Sequence, residues 1–466
     1  MSRMSAFFDV INPATGERVA QVPKATAGDA LAAVEAARVA QVEWRRRGGH
    51  ARAEVLQSWH DLVMASAEEL ARIMVTEQGK PLAEARGEIT YAASYIRFYA
   101  EEARRLHGET IPSATPDRRQ LVVREPVGVC AAITPWNFPA AMVTRKVAPA
   151  LAAGCAMVLK PSELTPLTAL KLVELAHRAG VPEGVLAVLV GDAVEIGAVL
   201  TASPTVRMLS FTGSTPVGRL LMAQCAPTVK KLGLELGGNA PFIVFDDADL
   251  DAAVEGALAS KFRNAGQTCV CANRFFVQRS VYEDFARRLT ERVSALKPGN
   301  GFEDGVTQGP LINEAARRKA LSHVEDARSR GARVATGGEA VDGPGWFMQP
   351  TVLLDVTAGM RCLEEETFGP VAPLVVFDDE AEAVAWANAS EFGLASYFYS
   401  RDVARCFRVA EAIESGMVGI NTGVISSETV PFGGVKQSGL GREGSRHGLD
   451  EYTELKLMSF GGIGAV

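Results

Sequence analysis

Short apolar runs alternate with helical segments through the middle of this chain, and that alternation limits its fold more than any other feature. Residues 156–159, 184–190 and 207–211 have the length and composition of buried strands. Residues 165–179 and 216–224 repeat apolar positions at helical spacing. Strands joined through helices pair in parallel, so the sequence predicts a doubly wound parallel α/β sheet.

The 466 residues are too many for one such core, and other regions differ in texture. Residues 26–107 indicate long amphipathic helices, and residues 119–134 indicate two strands interrupted by Pro126-Val127-Gly128. Residues 452–458 alternate like an edge strand, and such a strand at a chain end often pairs with another subunit. A second α/β stretch spans residues 250–421, with strand candidates at 274–278, 371–377 and 396–398.

The charge balance and the cysteines exclude several classes of protein. The chain carries 48 basic and 55 acidic residues, a net charge of -7, whereas a nucleic-acid-binding protein is expected to be basic overall or in a patch. No run of about 18 apolar residues could cross a membrane, and residues 1–23 lack the pattern of a signal peptide. The seven cysteines are odd in number and dispersed, which indicates a reducing compartment. We expect a cytoplasmic protein that binds neither nucleic acid nor membrane.

Cys269 is the strongest candidate for chemistry, in the run Asn264-Ala265-Gly266-Gln267-Thr268-Cys269. Glu235 precedes it in the glycine-rich run Leu234-Glu235-Leu236-Gly237-Gly238-Asn239. A lone cysteine usually behaves as a small buried apolar residue, and a lone glutamate is usually a solvated surface residue. Neither residue therefore carries a functional claim alone. None of the six histidines lies near either run, which disfavours a papain-like Cys-His pair but leaves open one formed in space. A thiol with a carboxylate as its remaining base suggests catalysis through a thioester.

A candidate phosphate site lies where a predicted strand ends and a helix begins, in the run Phe211-Thr212-Gly213-Ser214-Thr215-Pro216-Val217-Gly218. Main-chain N–H groups at a helix N-terminus favour phosphate, and Ser214 adds a hydroxyl donor, although an ordinary helix cap explains the run equally well. The glycine spacing is that of a P-loop, but Arg219-Leu220 stands where Lys-Ser/Thr is required, so an ATPase is excluded. Glu163 follows another strand, where an acid can accept hydrogen bonds from an adenosine ribose and repels a 2′-phosphate.

These runs resemble the active-site signatures of the aldehyde dehydrogenase superfamily, and the resemblance covers essentially the whole chain. Ile133-Thr134-Pro135-Trp136-Asn137-Phe138-Pro139 resembles the family's oxyanion segment. Glu365-Glu366-Thr367-Phe368-Gly369-Pro370 resembles the segment that holds the nicotinamide riboside. Pro431-Phe432-Gly433-Gly434 resembles the closing motif on the substrate side.

The resemblance implies a role for each matching residue. Cys269 is the nucleophile, Glu235 activates water, and Asn137 together with the Cys269 N–H stabilises the oxyanion. Lys146 and Glu443 match positions linked to proton relay. Since a water-activating base is present, the thioester is expected to be hydrolysed rather than passed to coenzyme A. The implied nucleotide-binding residues are Thr134, Trp136, Lys160, Ser162, Glu163, Gly213, Ser214, Glu366 and Phe368. The implied coenzyme is NAD, favoured by Glu163, with NADP as the alternative, and no metal is expected.

Residues 235–274 and 419–427 are most similar to the succinate-semialdehyde branch of the superfamily, and the glutarate-semialdehyde branch is similar in the same places. The implied substrate is an aldehyde with a distal carboxylate, clamped by Arg145, Arg263 and Ser427. Structural ion pairs are the alternative role for these arginines. Cys271 matches a cysteine that forms a redox pair with the nucleophile in some relatives, and a packed small residue is an equally good interpretation.

The resemblance also implies the architecture: two doubly wound α/β domains plus a small β oligomerisation arm. Residues 1–115 and 135–234 form the dinucleotide-binding domain, residues 235–431 the catalytic domain, and residues 116–134 and 432–466 the oligomerisation strands. A homodimer or homotetramer is expected. A non-catalytic protein of the same fold is the rival interpretation, and it is disfavoured because Cys269, Glu235 and Asn137 are all present.

Overall fold

The computed structural model describes residues 6–464, so the outer limits of the predicted domains, at residues 1 and 466, lie outside the described residues. Four long helices occupy most of residues 26–107, as their apolar spacing predicts. The first begins at a capping box, in which the side chains of Thr26 and Asp29 each accept the other's main-chain N–H. The helices are α1 (Ala27–Arg46), α2 (Gly49–Ala65), α3 (Ala67–Gln78), α4 (Leu82–Glu102), α5 (Ala141–Ala153), α6 (Pro166–Arg178), α7 (Ala193–Ala202), α8 (Thr215–Cys225), α9 (Leu250–Lys261), α10 (Tyr282–Ser294), α11 (Glu314–Ser329), α12 (Arg361–Glu364), α13 (Glu380–Asn388) and α14 (Val403–Ala412).

Strands in the described part of the chain form two large sheets and three small ones. The strands are β1 (Phe7–Ile11), β2 (Arg18–Pro23), β3 (Glu109–Ile111), β4 (Arg119–Pro126), β5 (Val129–Ile133), β6 (Ala156–Lys160), β7 (Leu186–Val188), β8 (Val206–Thr212), β9 (Lys231–Glu235), β10 (Ala240–Val244), β11 (Ala272–Gln278), β12 (Arg333–Thr336), β13 (Thr351–Leu354), β14 (Val371–Phe377), β15 (Phe392–Gly393), β16 (Ala395–Tyr399), β17 (Met417–Ile420), β18 (Val435–Lys436), β19 (Gly439–Leu440) and β20 (Thr453–Phe460).

Both large sheets are doubly wound, which confirms the predicted fold class. The first has the order β19-β9-β8-β5-β6-β7 and the second the order β12-β13-β14-β11-β10-β16-β17, and in each only one edge strand is antiparallel. Alternate residues of the central strand β5 belong to two different hydrophobic cores, one on each face of the sheet. Cys130 and Ala132 pack with α2, α4, α5 and α6, whereas Val129 and Ala131 pack with α1 and α7. Apolar layers therefore cover both faces of the sheet.

Three sequence-based assignments need correction. Residues 129–133, assigned above to the oligomerisation strands, form β5 at the centre of the six-stranded sheet, since the break at 126–128 ends one strand and starts another in a different sheet. The strand predicted at 184–190 shrinks to β7, because the main chain turns at Pro182, whose carbonyl accepts the Val185 N–H. In the range 432–466, β18 pairs with β15 and β19 with β9, so only β20 joins the separate small sheet.

The small sheet is an arm of three antiparallel strands in the order β20-β4-β3. Its edge strand β20 spans 453–460, close to the prediction, and it exposes Leu455, Leu457 and Phe460. Within residues 6–464, no helix combines the length and apolar character needed to cross a membrane.

Candidate active site

The candidate site lies between the carboxyl edge of the six-stranded sheet and the amino edge of the seven-stranded sheet. Residues 134–137 follow β5 and residues 213–214 follow β8, and these two strands are parallel neighbours. From β5 the chain adds β6 and β7 on one side and β8 and β9 on the other, and open α/β sheets bind ligands at such a switch point. Residues 366–368 and Cys269 instead precede the neighbouring strands β14 and β11.

A cavity of about 620 Å³ opens between these two edges. It has the size typical of small-molecule sites, and its wall is mostly apolar with a few converging polar groups. No histidine is among the lining residues that the structure describes, so a Cys-His pair does not form there. The lining includes nine residues predicted from the sequence: Trp136, Asn137, Arg145, Gly213, Ser214, Arg263, Cys269, Glu366 and Phe368.

Cys269 lies on the wall of this cavity. Burial raises the pKa of its thiol to about 12, and the nearby Arg145 only partly opposes the shift. The resting sulfur is therefore a thiol that must lose its proton before it attacks. Close packing against the Cys269 segment explains why the turn after Glu235 contains Gly238. A Cβ on this residue would lie 2.4 Å from the carbonyl oxygen of Cys269. Only glycine lets the two motifs approach this closely.

Asn137 is oriented toward the segment that carries the nucleophile. Its Nδ2 donates to the carbonyl oxygen of Gln267 at 3.0 Å, and its Oδ1 accepts the N–H of Phe138 at 3.1 Å. An amide nitrogen carries two hydrogens, so one remains for an oxygen in the cavity. The predicted oxyanion donor is thus fixed to the segment that carries Cys269, and both residues line the same cavity.

Two buried carboxylates stand side by side with opposite pKa shifts. Burial, with the neighbouring Glu443, raises the pKa of Glu235 well above its usual range, and Oε2 of Glu235 has no hydrogen-bond partner among the described residues. Burial also acts to raise the pKa of Glu443, but Lys146 and Arg145 outweigh it and leave that pKa lowered. Lys146 Nζ pairs with Glu443, and it donates to the hydroxyl of Ser210 at 3.0 Å.

Carboxylates whose environments separate their pKa values suit proton transfer. Glu235 and Glu443 both line a second, small cavity of about 10 Å³, which has room for about one water molecule. Of the predicted relay residues, Glu443 therefore shares this cavity with the predicted base, and Lys146 is paired with Glu443.

One half of the large cavity, formed by β8, α8 and the segment before β14, contains residues predicted to bind the nucleotide, and we call it the nucleotide half. The half that contains Arg145 and Arg263 is called the substrate half. Ser214 is the N-cap of α8, and its side chain caps no main-chain N–H. The donors of this helix N-terminus therefore stay available for an anion. Glu366 accepts the N–H of Gly238 at 3.2 Å, and burial raises the pKa of its carboxyl to about 7.

Two aromatic rings border the same half. Trp136 and Phe368 meet edge to face with their centroids 5.6 Å apart. Phe368 has a φ of +54°, a left-handed conformation that is uncommon for such a side chain and is often found at ligand sites.

The remaining predicted nucleotide residues lie at the carboxyl ends of β5 and β6, beyond the cavity wall. Lys160 is buried, and its Nζ lies 3.0 Å from Oε2 of Glu163, which stays partly exposed. The hydroxyl of Ser162 accepts the N–H of Leu164 at 3.2 Å, and Oγ1 of Thr134 is buried with no partner in the described part of the chain.

The predicted substrate arginines both reach the cavity, with N–H groups to spare. Arg145 Nη2 lies 2.9 Å from Oε2 of Glu443, so an ion pair exists, yet Nε and Nη2 form no hydrogen bond of normal geometry with any described residue. Arg263 has no carboxylate within 4.0 Å among the described residues, and its Nε is buried without a partner. Each guanidinium faces an aromatic ring, Arg145 over Phe432 at 3.9 Å and Arg263 over Phe138 at 5.4 Å.

The predicted residues Ser427 and Cys271 also lie off the cavity wall. Ser426 lines the cavity, whereas the hydroxyl of Ser427 lies 2.9 Å from Oγ1 of Thr429. Cys271 is buried, and its thiol donates to the carbonyl oxygen of Lys261 at 3.4 Å. All seven cysteines are free thiols, and the redox role of Cys271 stays a prediction.

Sequence reasoning missed a buried ion pair in the cavity wall. Lys80 Nζ pairs with Glu88, and each side chain is only 1% exposed. Lys80 lies between α3 and α4, next to Gly79 and Pro81, where the local sequence indicates a turn and nothing indicates burial. Phe432 was noted within a motif, but its contact with Arg145 follows only from the tertiary structure.

Comparison with known proteins identifies the family. Residues 1–458 match the Aldehyde dehydrogenase family. The chain is 59% identical to the succinate-semialdehyde dehydrogenase [NADP(+)] of Escherichia coli K12, over 97% of this chain and 94% of that protein. It is also 59% identical to the 3-sulfolactaldehyde dehydrogenase of Pseudomonas putida, over 98% and 94% of the two chains. The glutarate-semialdehyde dehydrogenase of P. putida KT2440 is again 59% identical, over 96% and 93%.

A crystal structure of succinate-semialdehyde dehydrogenase from Burkholderia pseudomallei superposes with a TM-score of 0.97, at 61% identity, over 98% of this chain and 95% of that one. The chain belongs to the aldehyde dehydrogenase family. The resemblance recognised in the sequence is therefore confirmed, as is the aldehyde dehydrogenase fold.

Proposed function

We propose that this protein oxidises succinate semialdehyde to succinate with a nicotinamide coenzyme. One observation carries the proposal beyond the family assignment. Arg145 and Arg263 both reach the cavity that holds Cys269, and both keep buried N–H groups that have no hydrogen-bond partner among residues 6–464. A buried unpaired donor of this kind is costly, and an anionic substrate group would satisfy it. The names of the relatives support the choice, since each of the three acts on an aldehyde with an anionic end.

In the proposed reaction Cys269 attacks the aldehyde carbon after its proton is removed. The oxygen becomes an oxyanion, which accepts hydrogen bonds from the Asn137 amide and the Cys269 N–H; losing one such donor costs on the order of 3 kcal/mol. The bound coenzyme supplies a hydride acceptor. Departure of the hydride leaves a thioester on Cys269. Glu235 takes a proton from water, the hydroxide attacks the thioester, and succinate departs as the thiolate leaves.

The proton taken up by Glu235 needs an exit. Glu235 and Glu443 both line the small cavity with room for about one water, and Lys146 pairs with Glu443. We propose that Glu443 and Lys146 pass the proton on, because Glu443 stays ionised beside Glu235 and can accept a proton, and Lys146 pairs with it.

The coenzyme is proposed to lie across residues 134–136, 160–163, 213–214 and 366–368. The free N-terminus of α8 fits a pyrophosphate, and Glu163 fits the hydroxyls of an adenosine ribose. NAD is the proposed preference, although relatives of E. coli and Sinorhizobium fredii carry NADP(+) in their names. The residues around Glu163, rather than the family, decide this choice.

Glutarate semialdehyde, one methylene longer, is the alternative substrate, and the motifs do not separate the two. The test is a set of initial rates of NADH and NADPH formation with succinate semialdehyde, glutarate semialdehyde and butanal. We expect the highest kcat/KM with succinate semialdehyde and NAD. Butanal should be slower by about two orders of magnitude or more, since it lacks the anion that two arginines would bind. Comparable kcat/KM for butanal would contradict the proposal.

We further propose that the protein is a cytoplasmic homodimer or homotetramer that binds neither nucleic acid nor membrane. Residues 6–108 and 129–234 are the proposed dinucleotide-binding domain, corrected for the placement of β3 and β5, and residues 235–431 are the proposed catalytic domain. The exposed apolar residues of β20 support assembly through the arm. Sedimentation of the wild type and of Leu455→Asp/Leu457→Asp tests it, and a monomeric wild type would contradict it.

A further inference from the structure

The main-chain carbonyl of Asn137 is held from two sides by side chains to which no role has been given. Lys80 Nζ donates to this oxygen at 2.9 Å, and Asn264 Nδ2 donates to it at 3.0 Å. A carbonyl oxygen has two lone pairs, and both are used here. The peptide that carries the Asn137 side chain therefore cannot rotate without breaking two buried hydrogen bonds.

Lys80 is itself held rigidly. Its ammonium pairs with Glu88 and lies 4.1 Å from the ring centroid of Phe138. The other oxygen of Glu88 accepts the N–H groups of Ala140 and Ala141, at 2.9 and 3.3 Å. Those residues begin α5, which has no side-chain cap of its own. One carboxylate thus holds Lys80 and also caps the helix that follows the oxyanion segment.

Asn264 is also held in place by hydrogen bonds. Its Oδ1 accepts Gln78 Nε2 at 3.0 Å, and its N–H donates to Oε2 of Glu84 at 2.9 Å. Its φ is +52°, a left-handed conformation that asparagine tolerates better than most residues. Its Nδ2 also donates, at 3.2 Å, to the Gln267 carbonyl that holds the Asn137 side chain.

We infer that Lys80, Glu88 and Asn264 are positioning residues that hold the oxyanion donor Asn137 against Cys269. The inference rests on the proposed oxyanion role of Asn137. Its physical basis is geometric, because a displacement of about 1 Å at a reacting centre can cost about a hundredfold in rate. A purely structural role, in which the ion pair only joins α4 to α5, is the competing explanation.

A double-mutant cycle separates the two explanations. Lys80→Met is combined with Glu88→Gln, so that no buried carboxylate is left unpaired and the amide oxygen can still accept the α5 N–H groups. This variant, Asn137→Ala and the triple variant are compared in single-turnover hydride transfer with succinate semialdehyde. Lys230→Met is the matched control, because Lys230 is also buried and donates to main-chain carbonyls, 2.8 Å from that of Val206, but lies outside the site.

The Lys80/Glu88 variant should slow hydride transfer by about ten- to a hundredfold while NADH binding, measured by fluorescence, stays unchanged. Asn137→Ala should slow it by about 10²- to 10³-fold. The triple variant should be within about threefold of Asn137→Ala, since a positioning residue has nothing left to position. Lys230→Met should transfer hydride at the wild-type rate.

Multiplicative losses in the triple variant would overturn the inference and leave the role of Asn137 intact. An unchanged rate in Asn137→Ala would instead overturn the proposed oxyanion role. The inferred positioning role of Lys80, Glu88 and Asn264 would fall with it. Asn264→Asp provides an independent variant if the Lys80/Glu88 protein does not fold. It keeps the shape of the side chain but puts an oxygen where the amide donated, and it should show the same lack of additivity with Asn137→Ala.

Discussion

The two halves of the cavity balance their charges differently. In the nucleotide half Glu366 accepts the Gly238 N–H, and beyond it Glu163 is paired with Lys160. In the substrate half Arg145 and Arg263 keep buried N–H groups without partners among residues 6–464. Buried polar groups in proteins are normally hydrogen-bonded. The charged side chains of the nucleotide half therefore already have partners in the chain, whereas those of the substrate half keep donors that an anionic group would satisfy.

Cys269 stands between the halves, so its removal should separate chemistry from binding. Cys269→Ala should lower kcat by more than about 10⁴-fold, because no other lining residue supplies a thiol, while NADH affinity stays at the wild-type value. Steady-state rates and a fluorescence titration measure the two quantities, with Cys406→Ala as a control. Substantial turnover by Cys269→Ala would show that the thioester route is wrong.

The buried thiol also predicts a steep pH dependence of its alkylation without coenzyme. Since the pKa of Cys269 is about 12, its thiolate fraction rises tenfold per pH unit through the neutral and mildly basic range. Iodoacetamide labelling of the Cys269 peptide should thus accelerate about a thousandfold between about pH 7 and pH 10. Peptide mass spectrometry follows the rate. A plateau below about pH 9 would mean that positive charge from the substrate half already activates the sulfur.

Replacing the base should stop the second half of the reaction and spare the first. Glu235→Gln keeps the shape of the side chain but cannot accept a proton from water. Steady-state kcat should fall by about a hundredfold or more, with a burst near one NADH per subunit retained. Stopped-flow absorbance measures both. A burst that disappears together with turnover would place Glu235 in proton removal from Cys269 instead.

The parts that the sequence predicted well are those governed by local pattern. Strand and helix alternation depends on neighbours along the chain, so β14 appears at its predicted bounds, Val371–Phe377. The motifs lie just after or just before parallel strands. Because neighbouring parallel strands end at the same edge of a sheet, the topology alone brings these motifs together.

Long-range burial was not predictable in the same way. Nothing near Lys80 in the sequence signals that Glu88 will bury with it, because lysine is normally exposed, and the burial of both side chains depends on what packs against the start of α4. The choice between Ser426 and Ser427 depends on the path of one loop, which no periodicity determines. The central position of β5 depends on its pairing with β6 and β8, whose residues are distant from it in the sequence.

The substrate half should lose selectivity when one of its unpartnered donors is removed. Arg263→Met should lower kcat/KM for succinate semialdehyde by about ten- to a hundredfold, the value of a charge-assisted hydrogen bond, and leave butanal almost unchanged. Arg279→Met is the matched control, since that arginine is paired with Asp378 on the surface. Equal losses on both aldehydes would mean that Arg263 supports the fold. Arg145 is a poorer choice, because its removal also unpairs Glu443.

The smallest expected effect concerns the completed charge pair of the nucleotide half. The wild type should have a higher kcat/KM with NAD than with NADP, because a 2′-phosphate would meet the partly exposed carboxylate of Glu163. Glu163→Ser removes that charge and releases the ammonium of Lys160 to attract a phosphate. The NADP to NAD ratio of kcat/KM should rise about tenfold, the value of one charge-assisted hydrogen bond. Glu174→Ser, which removes an exposed carboxylate of α6 that is paired with Lys171, is the matched control and should leave the ratio unchanged. A wild type that already prefers NADP would show that the Lys160 ammonium, and not its carboxylate partner, reads the ribose.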